Sequence, residues 1–428
     1  MARTGLRTGN ARNTVSLHVE DPEGARHREL PGGNTDAHDV LLTELSSVLF
    51  ASFPRADQRR KGVAYLRGLL RAEGRKSIRN IARSLGGRTT EQNLHHFISS
   101  STWDWDPVRA ALAGYLVNIA PPRAWVVRPT VIPKAGRHSV GVGRWFVPST
   151  GQMLNAQQAV GAWFASSEVS MPVNWRLHLS HAWLDDAERR SQAAIPDSVG
   201  PQTLGECAVE TFLHMVSEWR LPLLPVVMDA PEVDGVDVAR RLRAAGVPFV
   251  VRVPGTALLR LAAPRLALAG HGADALPATQ ILGAVRELRR PVVWTAGGAG
   301  VPLTSLVAGV RVRFSGRGPG RPARDEGDLL LWGAGAPDKA GAPDKGWPQE
   351  LWLTSLTEQP LAESFLLSRL TDRVDRDLVD IADQVGIRDF AGRSFGGWHR
   401  HVTLASAAHA VAALARARSL RPRGAVAG

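Results

Sequence analysis

Cysteine is almost absent from this sequence of 428 residues, because Cys207 is the only one. A single cysteine excludes an internal disulfide and any zinc site built from several thiolates. Long apolar runs are missing too, and residues 1–4 do not begin an apolar signal segment. From these absences we expect no membrane segment and a cytoplasmic location.

Positive charge, by contrast, is abundant. The sequence has 52 Lys and Arg against 40 Asp and Glu, which gives a formal net charge of +12. Much of the excess lies in residues 55–91, where eleven basic residues stand against three acids. An apolar fraction of 44% is ordinary for a globular protein, and the length allows two or three domains. The charge therefore predicts a polyanionic partner for a folded, multidomain chain.

The first part of the chain is predicted to be a disordered tail over residues 1–37, followed by a helical domain over 38–120. Apolar residues spaced as on helix faces predict several short helices, one of them capped by Ser77. Glycines at 86 and 87 separate that helix from the next, for which Thr89 and Gln92 have the spacing of a capping box. This pattern is typical of a helix-turn-helix, and equally of an ordinary helical hairpin.

The helix-turn-helix interpretation makes this domain a DNA-binding one. The second helix then enters the major groove, where Gln92 and Asn93 bond to adenine edges. The basic residues around it are predicted to contact phosphates: Arg59, Arg60, Lys61, Arg75, Lys76 and Arg79.

From residue 121 the periodicity changes to that of strands. A meander of three antiparallel strands is predicted, followed by a helix, a short buried strand that ends at Asp229, another helix and another strand. The predicted ranges are 124–130, 139–146, 152–164, 204–219, 225–229, 236–245 and 249–253. This order is expected of a ribonuclease-H-like α/β core, which we assign to residues 121–255 and 357–420. A short tail follows at 421–428.

A β-rich insertion is predicted to interrupt that core over residues 256–356. Its strands are expected at 291–295, 303–314, 329–332 and 351–355, and two helices at 361–385 and 399–419 then close the chain. Arg311, Arg313 and Arg317 lie in the insertion with no acid among them. They form either a second phosphate-facing ribbon or a solvated basic loop.

Seven short strings, spread in order over residues 45–415, resemble a known family. They are YLRGLL (65–70), RKS (75–77), PKAG (133–136), SVGV (139–142), NAQ (155–157), PVNWRL (172–177) and GWHRH (397–401). The set is similar to the bacterial insertion-sequence DDE transposases that carry a β-rich insertion between their second and third carboxylates. Lys134 and Arg400, which lie in two of these strings, join the residues predicted to bind DNA.

The resemblance implies a metal-dependent chemistry that this sequence lacks the residues to perform. In that family Asp, Asp and Glu hold two divalent ions, Mg²⁺ or Mn²⁺, which promote cleavage and transfer of a DNA strand. The first aspartate falls on Arg128, the second on Asp229 and the third carboxylate on Asp375. A cation at the first position repels metal, so we expect no metal site and no cofactor. The guanidinium of Arg128 either holds a DNA phosphate or points to solvent.

Three functions follow from these expectations. The leading one is a transposase-like protein that binds double-stranded DNA in the nucleoid without cutting it, alone or as a homodimer as relatives often do. The second is a working transposase with a rearranged carboxylate set that binds Mg²⁺ or Mn²⁺. The third is a protein-interaction scaffold derived from a transposase. No small-molecule substrate is indicated.

Overall fold

A computed structural model describes residues 35–86, 88–147, 151–262, 275–295, 302–315, 327–335 and 347–420. The predicted tails lie outside these ranges, except that residues 35–37 already belong to the first helix. Within the described ranges, none of the helices combines the length and the apolar character needed to cross a membrane.

Five helices form the first part of the chain. They are α1 (Thr35–Leu49), α2 (Ala56–Arg71), α3 (Ile78–Leu85), α4 (Arg88–Ser99) and α5 (Asp106–Ile119). The Ser77 side chain accepts a hydrogen bond from the backbone of Asn80 and so caps α3 as predicted. Gly86 ends α3 with a φ of 100°, a conformation that glycine adopts without strain. The predicted cap at Thr89 is wrong, because α4 already begins at Arg88.

The predicted apolar faces of these helices meet in one core. Leu66 and Leu69 of α2, Ile81 of α3 and Phe97 of α4 are all buried. Gly68 lets α2 and α3 approach closely, since a Cβ there would lie 2.4 Å from a methyl carbon of Ile81. The helices therefore pack as one unit rather than as an extended string.

The described strands form a single mixed sheet. They are β1 (Ala124–Pro133), β2 (Gly143–Val147), β3 (Gln152–Ala165), β4 (Ser170–His178), β5 (Val226–Met228), β6 (Phe249–Arg252), β7 (Leu258–Leu261), β8 (Leu276–Pro277), β9 (Arg290–Thr295), β10 (Pro302–Phe314), β11 (Leu329–Ala334) and β12 (Glu350–Thr354). The order is β2-β3-β1-β5-β6-β12-β11-β10-β7-β8, with β4 paired to β3 and β9 to β10.

The meander prediction was wrong in its strand order. The three strands exist and are antiparallel, but β3 lies between β1 and β2. With 14 residues, β3 is long enough to pair with β1 along one edge and with both β2 and β4 along the other.

Three parallel strands, β1, β5 and β6, form the centre of the sheet. The helices between them are α6 (His181–Leu184), α7 (Ala187–Gln192), α8 (Leu204–Ser217) and α9 (Gly235–Ala244). Of these, α8 contacts β1, β3 and β4, and α9 contacts β6. This mixed α/β arrangement is consistent with the expected ribonuclease-H-like nuclease fold.

The segment assigned to the insertion extends the same sheet. β12 pairs antiparallel with β6, and β11 and β10 continue from it. The segment also contains helix α10 (Ala278–Gly283) and a 3-10 turn at Arg286–Leu288. Because β12 is hydrogen-bonded to a core strand, the β-rich segment is joined to the core by backbone pairing as well as by the chain.

The end of the chain is helical. α11 (Leu361–Ser368) and α12 (Leu370–Asp377) are followed by a π-helical turn at Leu378–Ala382 and by α13 (Phe395–Leu420). The long helix predicted over 361–385 is thus divided into shorter pieces. α13 contacts β4 as well as α1, α2 and α4, and so joins the helical part to the sheet.

A buried arginine strengthens this junction. Arg109 of α5 is 2% exposed and donates to the Thr403 hydroxyl at 2.7 Å and to the Asn174 side chain at 3.1 Å. It also donates to the backbone carbonyls of Trp175 and His399. Burial lowers the pKa of Arg109 to about 9, because a buried charge loses its contact with water. The hydrogen bonds to these acceptors offset part of that cost.

Candidate functional site

Three charged residues lie level with one another across the parallel strands. Continuing the register of β1 with β5, and of β5 with β6, by one or two residues places Arg128, Asp229 and Arg252 in one row. The row stands at the carboxyl ends of these strands, where ligands bind in open α/β sheets. It is a row of cation, anion and cation.

Arg128 forms an ion pair with Asp375. Its Nε donates to a carboxylate oxygen of Asp375 on α12, and its Nη1 donates to the backbone oxygen of Pro129 at 3.2 Å. The Arg128 side chain is 28% exposed and that of Asp375 55%. The alternative in which Arg128 only points to solvent is therefore wrong. The prediction that it holds a phosphate stays a prediction, and requires a phosphate to compete with this carboxylate.

Asp229 is also held by an arginine. One oxygen of its carboxylate accepts a hydrogen bond from Arg252 at 2.7 Å, while the other oxygen is buried without a hydrogen-bond partner. Burial raises the pKa of Asp229, and the nearby positive charge of Arg252 opposes that rise. Proton binding at Asp229 is thus easier than at a solvated aspartate.

A third arginine completes the cluster. Arg369 donates to Glu350, the first residue of β12, at 2.6 Å and lies 3.6 Å from Asp372 of α12. Burial raises the pKa of Asp372, with Arg369 opposing. The negative charge of Asp375 acts on both Asp229 and Asp372, so the acids belong to one site.

The sequence-based reasoning missed part of this cluster. Arg252 could have been predicted from the sequence. It is the last residue of its strand, Asp229 follows the neighbouring parallel strand, and parallel strands end at the same edge of a sheet. Glu350, Arg369 and Asp372 had none, since their positions depend on how β12 and the C-terminal helices return to the sheet.

The residues present do not fit a pair of divalent ions. Both carboxylates retained from the predicted trio face a guanidinium, which takes the lone pairs that a metal needs and repels its charge. Over the described ranges of the chain, no group of three or more His, Cys, Asp or Glu is arranged to hold a metal ion. The arrangement binds its own arginines instead.

Several residues predicted to bind DNA are accessible. Gln92 and Asn93 are exposed on α4, and Arg60, Arg75 and Arg79 are exposed on and beside α2 and α3. Two others have partners within the protein. Arg59 donates to the backbone oxygen of Phe53, and Lys61 lies 3.3 Å from Asp57.

Two of the predicted phosphate contacts are structural instead. Lys76 is only 6% exposed, its ammonium donates to the Ala72 carbonyl, and burial lowers its pKa. Arg400 donates to the backbone oxygens of Trp103 and Ile98 at 3.0 and 3.1 Å, which fixes α13 against the helical part. The prediction that Lys76 and Arg400 contact DNA phosphates is therefore wrong.

Lys134 has an intermediate position. Its ammonium donates to the carbonyls of Arg388 and Phe390 at 2.9 and 2.7 Å. Burial lowers the pKa of Lys134 to about 8, and the charge of Arg75 adds to this effect. Asp389 opposes this lowering, and Arg388 is paired with Asp383, so Lys134 lies in a mixed cluster of cations and acids. Its own side chain remains partly exposed.

The predicted basic ribbon has acidic partners. Arg313 pairs with Asp328 at 2.9 Å, and Arg311 pairs with Glu358 at 3.2 Å. These acids lie 15 and 47 residues further along the sequence, so the absence of acids among the arginines did not show that the arginines are unpaired. Arg317 lies outside the described residues.

The sequence matches the model of a known protein family. A family model described as DDE superfamily endonuclease matches residues 48–296, which is more than half of the chain. The matched segment includes Arg128 and Asp229 and ends before Asp375. A search of curated proteins finds no match.

Proposed function

The chain belongs to the family of DDE superfamily endonucleases, and from this premise we propose that it is a transposase-like protein that binds double-stranded DNA in the nucleoid without cleaving it. The observation that carries the proposal is the ion pair between Arg128 and Asp375, beside that between Arg252 and Asp229. Both carboxylates that remain of the family's three are engaged by cations.

Magnitudes support the loss of cleavage. A unit charge about 4 Å from another contributes about 4 kcal/mol at an effective dielectric constant near 20, and about twice that for a divalent ion. Replacing the first aspartate by Arg128 therefore changes an attraction of this size into a repulsion. Each of the remaining carboxylates would also have to leave its arginine before it could bind a metal.

The proposed DNA contact is the pair α3 and α4, acting as a helix-turn-helix. Ser77 and Gly86 fix the ends of α3, and α4 presents Gln92 and Asn93 to solvent. Side chains of this type read adenine in the major groove. Arg79 is exposed on α3, the helix that packs against α4, and is proposed to supply a phosphate contact.

Binding to a fluorescein-labelled duplex of mixed sequence tests the proposal. Fluorescence anisotropy at about 50 and about 200 mM salt should show affinity falling by at least about 100-fold, because phosphate contacts release counterions. Arg75→Ala with Arg79→Ala should reduce the slope of log affinity against log salt by about 2. The control Arg189→Ala removes another exposed arginine, on α7, and should leave the slope unchanged.

A protein that shows no salt-dependent affinity for DNA would contradict this proposal. It would instead match the third expectation from the sequence, a scaffold for contacts with other proteins. Equal slopes in the double variant and the control would remove α3 from the interface while leaving DNA binding in place.

A second candidate is an endonuclease with a rearranged set of carboxylates. It is favoured by the proximity of Glu350, Asp372 and Asp375 to one another and to Asp229. It requires the arginines to leave these acids when metal and DNA bind. Such a protein would nick supercoiled DNA and would lose that activity on Asp372→Asn.

A further inference from the structure

A β-hairpin exposes two large apolar side chains. It consists of β2 and residues 152–156 of β3, and we call it the hairpin arm. Phe146 and Met153 are cross-strand partners in it, 59% and 50% exposed respectively. Cross-strand partners share a face, and so do residues two apart on one strand, so the exposed Arg144 lies on this face as well.

The hairpin arm extends beyond the carboxyl edge of the parallel strands. On β3, Gly161 lies opposite Arg128, and Met153 precedes Gly161 by eight residues. At about 3.3 Å per residue, the exposed pair lies roughly 26 Å along the strand from the row of charged residues. That length is roughly eight base-pair steps of duplex DNA.

Lys134 lies at the base of the hairpin arm. The backbone N–H of Lys134 donates to the oxygen of Asn155, which is the cross-strand partner of Arg144. Arg75 of the helical part and Arg388 both lie close enough to Lys134 to lower its pKa. Arg388 is itself paired with Asp383, and the negative charge of Asp389 opposes the lowering of this pKa. The positive charge at the base of the hairpin arm is therefore that of Lys134 and Arg75.

The surrounding sequence contains no acid. Residues 107–167 include six Lys and Arg and not one Asp or Glu. Arg137 and Arg144 are exposed, and among the described residues neither has an ion-pair partner. Of the other basic residues in this range, Arg109 is buried, and Arg123 and Arg128 pair with acids from the C-terminal helices. The exposed positive charge on the face of Phe146 and Met153 is therefore that of Arg144.

We propose that the hairpin arm is a second DNA contact, in which Phe146 and Met153 press against a base step of the duplex and Arg144 contacts an adjacent phosphate. Apolar side chains that enter a groove unstack base steps and bend the duplex, while neighbouring arginines hold its backbone. A second copy of the chain fits this surface less well. A symmetric contact between two hairpin arms would bring the two copies of Arg144 together, and the sequence of the hairpin arm contains no acid to offset them.

The inference rests on the proposed DNA binding and is tested separately from it. The probe is a mixed-sequence duplex with 2-aminopurine at several positions, whose fluorescence rises when a base unstacks. The wild-type protein at saturation should raise this fluorescence, and Phe146→Ala should remove at least half of the rise. Its affinity should fall about 10-fold. Met153→Ala should act in the same direction with a smaller effect.

Val293→Ala is the matched control, because Val293 is 64% exposed on β9 in a different part of the sheet. It should leave both signals unchanged. Phe146 is mostly exposed, so its truncation is not expected to unfold the chain, and circular dichroism checks this.

The outcomes separate the two proposals. If the wild-type protein binds the duplex with no fluorescence rise, or if Phe146→Ala keeps the full rise, the hairpin arm is not a wedge. If sedimentation velocity shows a dimer that Phe146→Ala dissociates while the fluorescence rise is kept, the surface belongs to a second copy and the inference is overturned. If no variant binds the duplex at any salt concentration, the proposed DNA binding itself fails.

Discussion

Arg128 on β1 and Asp375 on α12, separated by 247 residues in sequence, form an ion pair at the carboxyl edge of the central strands. These are the positions at which the resemblance to transposases places the first and third carboxylates. The guanidinium thus supplies from within the chain a positive charge at the place where the family would bind metal. Arg252 does the same for Asp229.

Restoring the lost carboxylate should not by itself restore metal binding. We expect Arg128→Asp to bind Mn²⁺ weakly, because Arg252 still engages Asp229. Adding Arg252→Leu should strengthen Mn²⁺ binding at least about 10-fold, because it removes a cation that repels the ion and frees the carboxylate oxygen of Asp229 that Arg252 engages. Isothermal titration calorimetry measures both. Arg311→Leu in the same background is the control, and equal affinities with and without Arg252→Leu would refute this role of Arg252.

Removing Arg128 should have small effects on DNA binding and on stability. Its charge is already balanced by Asp375, so we expect Arg128→Ala to change DNA affinity and its salt dependence by less than about twofold. The free energy of unfolding should fall by about 1 kcal/mol at most, because the pair is partly solvated. A clear reduction of the salt slope would instead establish Arg128 as a phosphate contact.

Substitutions on α4 should change the sequence specificity of DNA binding more than the general affinity for DNA. Gln92→Ala or Asn93→Ala should weaken binding to a selected sequence by about 1–3 kcal/mol and leave binding to random duplex unchanged. Arg79→Ala should weaken both to the same extent. Competition between selected and random duplexes measures the difference. Equal losses for Gln92→Ala on both duplexes would mean that α4 does not read bases.

Three buried histidines predict a specific sensitivity to acid, and burial lowers the pKa of one of them, His399, well below its ordinary value. Burial lowers the pKa of His401 and of His409 to about 4, from an ordinary value near 6.5. Between these two pH values the unfolded chain binds protons that the folded chain does not, so stability falls as the pH drops from 6.5 to 4. His401 and His409 should each contribute roughly 3 kcal/mol to that loss, and His399 adds to it in the same direction.

Urea unfolding at several pH values measures this effect. The rings of His401 and His409 are hydrogen-bonded within the protein. A ring nitrogen of His401 lies 2.8 Å from the Tyr65 hydroxyl, and one of His409 lies 2.8 Å from the Ser170 carbonyl oxygen. His409→Gln should reduce the loss in the free energy of unfolding between pH 6.5 and 4. A replacement of the exposed His95 should leave that loss unchanged. An unaltered pH profile in His409→Gln would show that this ring is not responsible.

Local patterns in the sequence predicted local structure well. Ser77 caps α3, the helix predicted over 204–219 is α8, and the strand predicted before Asp229 is β5. Each of these depends on residues within one or two turns of each other. The predicted strand order was wrong at β3, because the local sequence pattern does not show which strands will pair with each edge of a long strand.

The candidate site was predictable only in part. The charge reversal at Arg128 is visible in the sequence, but its contact with Asp375 is not, because it depends on how α12 returns to the sheet. The burial of Lys76 was hidden for a similar reason. Its location in a basic stretch suggested a surface, whereas its neighbours in space come from Gly386 and Asp389.

Incubation of the purified protein with supercoiled plasmid and Mn²⁺ tests the central claim most directly. With Arg128 and Arg252 engaging the carboxylates, the account predicts that the plasmid stays supercoiled at protein concentrations that saturate DNA binding. Nicked plasmid that appears with the wild-type protein and disappears with Asp229→Ala would contradict it.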